Sequence, residues 1–347
     1  MSFIAFQPDD TIISTEVITA PLWSGNVYTL NSSSLFTSSV QETSVSGHSY
    51  LNVSNLNIIV SGSENQFSIS YGHISGSGSA PYNSLVPEFT PTSNIYYQYY
   101  NVLYGNEGNT GSFFNFGGNN GNSGDIFVIN VHRARYKESL QLGSLNLILT
   151  NGTSSIALTD DSNNVSTTSY LGSNRVYNIV SGSNGLSYNS NVVQTNSGSY
   201  GVFLPDISTI ILNPRALSLS QANGGIGLPI DWTASTSYTL VNNSNNTTLF
   251  NAIYNGNSFS CNSQEIITSK FYDVHVKYGE LNYTTNPSVI DSNGNILYTT
   301  LIDYPTTYPT TVGLYDANNT LLAIAKLSKP LQKTSTTTLT LRVKLQA

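Results

Sequence analysis

The sequence predicts an all-β protein, built mainly from antiparallel sandwich-like or barrel-like modules, with one or two short helices. Three observations carry that expectation. Short alternating runs recur along the chain, separated by polar turns, as in sandwiches and barrels. Charged residues make up only 9% of the 347, against ~25% in typical domains, so Ser, Thr, Asn and Gly must supply the polar surface. Twenty-three Tyr and thirteen Phe separate the chain from disordered segments, which are poor in aromatics.

Taken in order, residues 1–45 lack a strong period and are interrupted by Pro21, Trp23 and Gly25. They are expected to form an extended N-terminal arm that needs another surface to hold it. A central β-rich domain is expected over 46–225. There YLNVSNLNIIVSG and ENQFSISYG form two strands, and HISGSGSAPYNSLVP reads as loop. NIYYQYYNVLYG (Asn94 to Gly105) is the best helix candidate. Ile95, Gln98, Tyr99, Val102 and Leu103 share a face, and Gly105 caps the end. From Gly124 to Leu149 a strong strand, a turn and a second strand follow, with Ile126, Val128 and Asn130 alternating with Phe127, Ile129 and Val131. RALSLSQANGG reads as a short helix entered after Pro214.

A C-terminal antiparallel β-domain is expected over 226–347. It opens with an Asn- and Thr-rich region, including LFNAIYNG, which reads as a linker. From Phe271 to Leu345 nearly every residue belongs to a strand or a reversal. Asp273, His275 and Lys277 alternate with Tyr272, Val274 and Val276, the period of a half-buried strand. DSNGN supplies an Asn-Gly hairpin signal, and DANNT reverses the chain between VGLY and LLAIAKL. Leu339, Leu341, Val343 and Leu345 line one face of a closing strand.

Composition bounds function. A net charge of −7 with only twelve Lys and Arg argues against nucleic acid, which needs a clustered cationic face. The lone Cys261 rules out an internal disulfide and a cysteine-based zinc site, and reads as a small core residue. No apolar run approaches the ~20 residues of a membrane span, and MSFIAFQPDD lacks the basic start and apolar core of a signal peptide. No membrane insertion is expected.

No catalytic constellation can be assembled. His48, His73, His132 and His275 are scattered without metal-ligand spacing. The adjacent pairs Asp9-Asp10 and Asp160-Asp161 suit turns or caps, since strand neighbours face opposite ways. The Gly-rich runs lack the Lys-Ser/Thr of a phosphate loop, and no G-x-S-x-G elbow occurs. A non-enzyme without a cofactor is expected.

The one charged cluster is Arg133, Arg135, Lys137 and Glu138. It suits two roles equally: a strand end whose arginines pair with nearby carboxylates, or an interface anchor. Trp23 and Trp232 are platform candidates for sugars, although both sit among apolar neighbours that favour packing. Tyr315 is a further interface candidate, because tyrosine buries area while its hydroxyl keeps a partner.

The runs FTSSVQ (Phe36 to Gln41), FSISYGHISGSGS, FVINVHRARYKESLQLGSLNLIL and YGVFLPDISTIILNPRAL resemble a structural protein of contractile-tailed bacteriophages, of the kind that infect cyanobacteria. The resemblance covers most of the chain in order. Separately, TVGLYDANNTLLAIAKLSKPLQK resembles the strand–turn–strand of virion-proximal domains in phage tail and collar fibres. That motif sits at the opposite end in collar fibres, and no repetitive shaft follows it here. The resemblance implies a virion component of the tail or baseplate region, acting in assembly or as an anchor for tail fibres. It implies assembly in the host bacterial cytoplasm, and partners among tail and baseplate proteins. A homo-oligomer is expected. The alternative is a receptor- or glycan-binding module of the tail tip.

Overall fold

The computed structural model describes residues 5–37, 50–57, 62–78, 91–105, 113–189, 194–233, 244–284 and 286–346. The last four residues of FTSSVQ, the SAPYNSLVP loop and most of the GNEGNTGS run lie outside these residues. The chain forms two compact units: a larger one of residues 18–265, and a smaller one that combines 1–17 with 266–347. This partition differs from the three regions expected, because residues 18–45 and 226–265 both belong to the larger unit.

The first strand, β1 (Thr11–Pro21), leads from the smaller unit into the larger. The larger unit then contributes β2 (Thr29–Leu30), β3 (Leu35–Thr37), β4 (Tyr50–Asn57), β5 (Gly62–His73) and α1 (Pro91–Tyr104). A small hairpin, β6 (Phe114–Asn115) and β7 (Asn122–Ser123), precedes β8 (Asp125–Val131) and β9 (Ser139–Leu140). Next come β10 (Asn146–Asn151), β11 (Ser154–Asp160), β12 (Ser169–Leu171), β13 (Asn174–Ser183) and β14 (Leu186–Ser187). The unit closes with β15 (Gly201–Leu204), β16 (Thr209–Leu212), α2 (Pro214–Ser218), α3 (Ser244–Gly256) and β17 (Phe259–Ser260).

Most of these strands form one nearly closed, barrel-like antiparallel sheet, so the fold class is as expected. Its order is β2-β17-β10-β11-β13-β15-β16-β8-β5-β4-β3, with β12 and β14 added on β13. The central strands are apolar on both faces. Along β8, Phe127, Ile129 and Val131 join one core, while Ile126 and Val128 join another. The partners β15 and β16 divide the same way: Phe203, Ile210 and Leu212 on the first face, Val202, Leu204 and Ile211 on the second. A sheet buried on both sides reads as a continuous apolar run rather than a clean alternation. Fully burying each such side chain contributes about 1.5–3 kcal/mol.

Two helices supply the covers. On the second face lies α1, which buries Tyr96, Tyr99, Tyr100 and Leu103 at helical spacing. The expected helix is present and Gly105 ends it in a left-handed conformation, but the buried face is rotated. Gln98 and Val102 are exposed, because three tyrosine rings carry the contact. Tyr96 can be buried because its hydroxyl donates to Ser123 O and accepts from Phe114 N. On the first face lies α3, burying Leu249, Ala252 and Ile253. The expected linker around LFNAIYNG is therefore a core helix. Its three apolar residues at i, i+3 and i+4 are the signal, masked by Asn and Thr. The preceding YTLVNN lies outside the described residues. The expected helix after Pro214 is α2, capped by the Asn213 side chain. The N-terminal segment is also core: Leu22, Trp23, Leu30 and Leu35 pack into the first face.

β18 (Asn262–Val276) enters the smaller unit at residue 266, and it pairs antiparallel with the terminal β23 (Leu339–Gln346) from Ser269–Gln346 to Val276–Leu339, with β1 on the other side. Between them lie α4 (Thr300–Asp303), β19 (Thr306–Thr307), the hairpin β20 (Thr311–Tyr315) and β21 (Leu321–Lys326), and β22 (Lys333–Thr334). Leu341 and Val343 are buried as expected, but Leu345 at the strand end is exposed. DANNT forms the expected reversal, with Asp316 Oδ1 accepting from the Asn318 and Thr320 amides. DSNGN also turns the chain, closed by Asp291, but a single Ile290–Ile296 bridge stands where strands were expected. Among the described residues no helix is long and apolar enough to cross a membrane.

Candidate interaction surfaces

The charged cluster of 133–138 sits on a tight turn after β8, and its members separate by role. Arg135 Nη1 donates to Ser24 Oγ at 2.6 Å and meets Glu64 Oε2 at 3.2 Å. Ser24 Oγ is also bonded by Gln66 Nε2 at 2.6 Å. Arg135 thus ties the N-terminal segment to β5, which is the structural role of the two expected. Arg133 is exposed, donates to Tyr136 O at 2.7 Å and lies over the Tyr136 ring at 4.6 Å. Lys137 and Glu138 are exposed at the mouth of β9, where their backbone amides bond Ser263 Oγ and Gln264 O. Trp23 is 2% exposed. Its indole N–H donates to Phe259 O at 2.8 Å, and the rings of Phe67 and Phe259 flank it. It packs, as its neighbours indicated.

Trp232 does not pack. It is 41% exposed, with the Arg215 guanidinium 5.6 Å from its ring centre. Behind Arg215 lies a buried carboxylate. Asp125 Oδ2 accepts from Arg215 Nη2 at 3.0 Å, and Oδ1 accepts from the Tyr71 hydroxyl at 2.8 Å. His73 Nε2 stands 3.3 Å from the same Oδ1. Burial pushes the Tyr71 hydroxyl up, and the Asp125 charge adds to the shift. His73 is pushed down by burial, against the pull of Asp125, and so is held neutral. Its tautomer follows from its neighbours. Nδ1 accepts from the Ser75 and Ser77 amides at 3.0 and 3.3 Å, so the proton resides on Nε2 and faces Asp125. An Asp–His pair exists here, yet the second nitrogen is occupied by backbone N–H groups and serves no nucleophile. The cluster orients Arg215.

The one buried pair of adjacent acids among the described residues, Asp160 and Asp161, is structural. Asp161 accepts from the Asn178 backbone and side chain, both at 2.9 Å. Asp160 accepts from Gly143 N at 2.8 Å and from Ser162 Oγ. Burial raises both carboxyls. Cys261 is fully buried and its thiol is pushed up to about 12 by burial, as suits the core residue expected. Among the described residues, no group of three His, Cys, Asp or Glu is placed to hold a metal ion.

The smaller unit has a different character. Only Val276, Leu314, Leu341 and Val343 are buried apolar side chains among its described residues. Its ties are polar. Arg342 Nε and Nη2 bond both oxygens of Asp273 at 2.7 Å, and these bonds hold the Asp273 carboxyl below its ordinary value. The fork from the neighbouring strand covers Asp273. Lys333 is fully buried with no carboxylate partner among the described residues, its side-chain nitrogen donating to Tyr278 O, Asn282 Oδ1 and Thr334 O. The β20–β21 hairpin stands as its own two-stranded sheet. Leu322 and Ile324 are 68% and 65% exposed on it. Tyr315 lies across Gly313, where an added Cβ would come 2.8 Å from the Tyr315 ring. The glycine leaves space for the aromatic to cover the ribbon.

No local signal in the sequence pairs Asp125, Arg215 or Lys333 with a partner, because their partners are 54, 90 and 51 residues away. No family model, curated protein or solved structure matches the chain.

Proposed function

We propose that this chain is a non-enzymatic structural subunit that assembles with copies of itself through its smaller unit. Its setting, by the sequence resemblance, is the tail or baseplate region of a phage virion, where it joins neighbouring tail proteins or anchors fibres. The observation that carries the reading is the β20–β21 ribbon, a two-stranded sheet with Leu321, Leu322 and Ile324 exposed. An isolated two-stranded hairpin is at best marginally stable in water and leaves both edges open for pairing. Tyr278, Tyr283, Tyr298, Tyr304 and Tyr308 are also exposed in this unit, and tyrosine is enriched at interfaces. The unit is close to neutral, with seven Lys and Arg against eight Asp and Glu, so repulsion between copies of it is small.

The test is sedimentation velocity on the full chain at micromolar concentration, beside the L322D/I324D variant. The wild type is expected to self-associate and the variant to sediment as a monomer with an unchanged thermal transition of the larger unit. A monodisperse wild-type monomer at every concentration would overturn assembly through this unit. Immunogold labelling of virions then addresses the setting: label at the tail end supports it, and label on the head overturns it.

A further inference from the structure

We propose that the groove beside Trp232 in the larger unit is a binding site for an uncharged pyranose saccharide. The groove measures about 680 Å³, within the ~300–1,000 Å³ of small-molecule sites. Its walls come from four places in the chain: the tip of the β6–β7 hairpin, the turn at Ser197, the end of α2, and Trp232.

The composition is that of a sugar site. An exposed indole offers a flat apolar surface whose negative face attracts the weakly positive C–H face of a pyranose ring. Asn119, Asn120 and Asn122 line the same groove, exposed. Their side-chain amides make no hydrogen bond among the described residues, so each offers a donor pair and an acceptor to ring hydroxyls. Arg215 adds a planar fork of donors at the groove wall.

The site is built rather than incidental. Arg215 is held by Asp125, which is fully buried and itself bonded by Tyr71. A buried carboxylate is costly unless it is fully paired. Here three residues from β5, β8 and α2 converge to aim one guanidinium beside an exposed indole. The hairpin tip is equally fixed: Phe116 N bonds Gly121 O at 2.9 Å, and Ser199 N bonds Phe116 O at 2.8 Å. Gly117 N bonds Asn115 Oδ1 at 2.8 Å. Pre-set walls reduce the ordering cost of binding.

Charge decides the ligand class. Asp125 neutralises Arg215, and the other polar groups of the groove are amides and hydroxyls. The groove therefore carries no net charge with which to select an anionic sugar.

The two tryptophans make the experiment direct, because Trp23 is buried and Trp232 is exposed. An array of neutral glucose, galactose, mannose and N-acetylglucosamine oligosaccharides is screened with the full chain. The best member is then titrated while acrylamide quenching of tryptophan emission is followed. Saturable protection of the quenchable fraction is expected. W232A should weaken binding at least about tenfold, and N119A/N122A should weaken it without changing the thermal transition. Three results would overturn the proposal: no array member bound above the W232A background, binding unchanged in W232A, or binding confined to acidic glycans.

Discussion

Asp160 shows how one buried atom sets a pH dependence. Its Oδ2 is bonded, but Oδ1 is buried without a partner among the described residues. Burial raises the carboxyl, with the Ser162 and Gly143 bonds opposing it. A raised carboxyl means the folded state binds a proton more tightly than the unfolded chain. That contribution is fully present below the unfolded value near 3.8, and is lost as pH rises through the folded value. D160N removes the titration. The stability difference between wild type and D160N should therefore move in favour of the wild type on acidification from neutral pH. Urea unfolding of both proteins across that range measures it, and a constant difference would refute the argument. Asp206 has the opposite sign. Burial would raise it, but the Arg175 side-chain and backbone bonds outweigh this and hold it low. Its contribution is present above about 3.8 and is lost as pH falls through the lowered value.

At the scale of the element, the helices matter because the sheet has two faces to cover. The seat of α3 is set at Gly256, its last residue, where an added Cβ would stand 1.8 Å from Ile148 O of β10. Backbone oxygen cannot yield as a side-chain end can. G256A is therefore expected to destabilise the larger unit by about 1–3 kcal/mol or more. Gly279 is the matched control: nothing lies within 4 Å of its added Cβ, so G279A should stay within about 0.5 kcal/mol of the wild type. Denaturation midpoints decide this, and equal effects of the two substitutions would show that the close approach does not constrain the helix. Nothing local to position 256 indicates the strand that crosses it.

Across the whole molecule, the two units are stabilised by different means. The larger one buries apolar side chains on both faces of a nearly closed sheet. The smaller one relies on the β18–β23 ladder, an Arg–Asp fork and a buried lysine. Local opening is cheapest where few apolar contacts are buried. Amide exchange in the monomer should be slowest in β8, β15 and β16, and orders of magnitude faster in β20–β21. Protection of that hairpin should rise on assembly if it is the contact between copies. A hairpin as protected as β8 in the monomer would remove the physical reason for placing the interface there.

Much of this was legible along the chain. Alternation marked β18 and β23, and turn chemistry marked the reversals at Asp291 and Asp316, because strand period and positive-φ tolerance are local properties. The tyrosine-rich α1 was legible from its spacing, and the end of that helix from Gly105. The buried face of α1 was not, since Tyr96 can go inside only when Ser123 O accepts from its hydroxyl and Phe114 N donates to it. Neither was α3, whose Asn and Thr residues conceal three apolar positions until a strand lies beneath them. Trp23 and Trp232 look alike in sequence, yet one is sealed by Phe67 and Phe259 and the other stands open beside Arg215. Burial depends on which distant segments arrive, and the pairing of Asp125 with Tyr71 and Arg215 exists only once the sheet has brought them together.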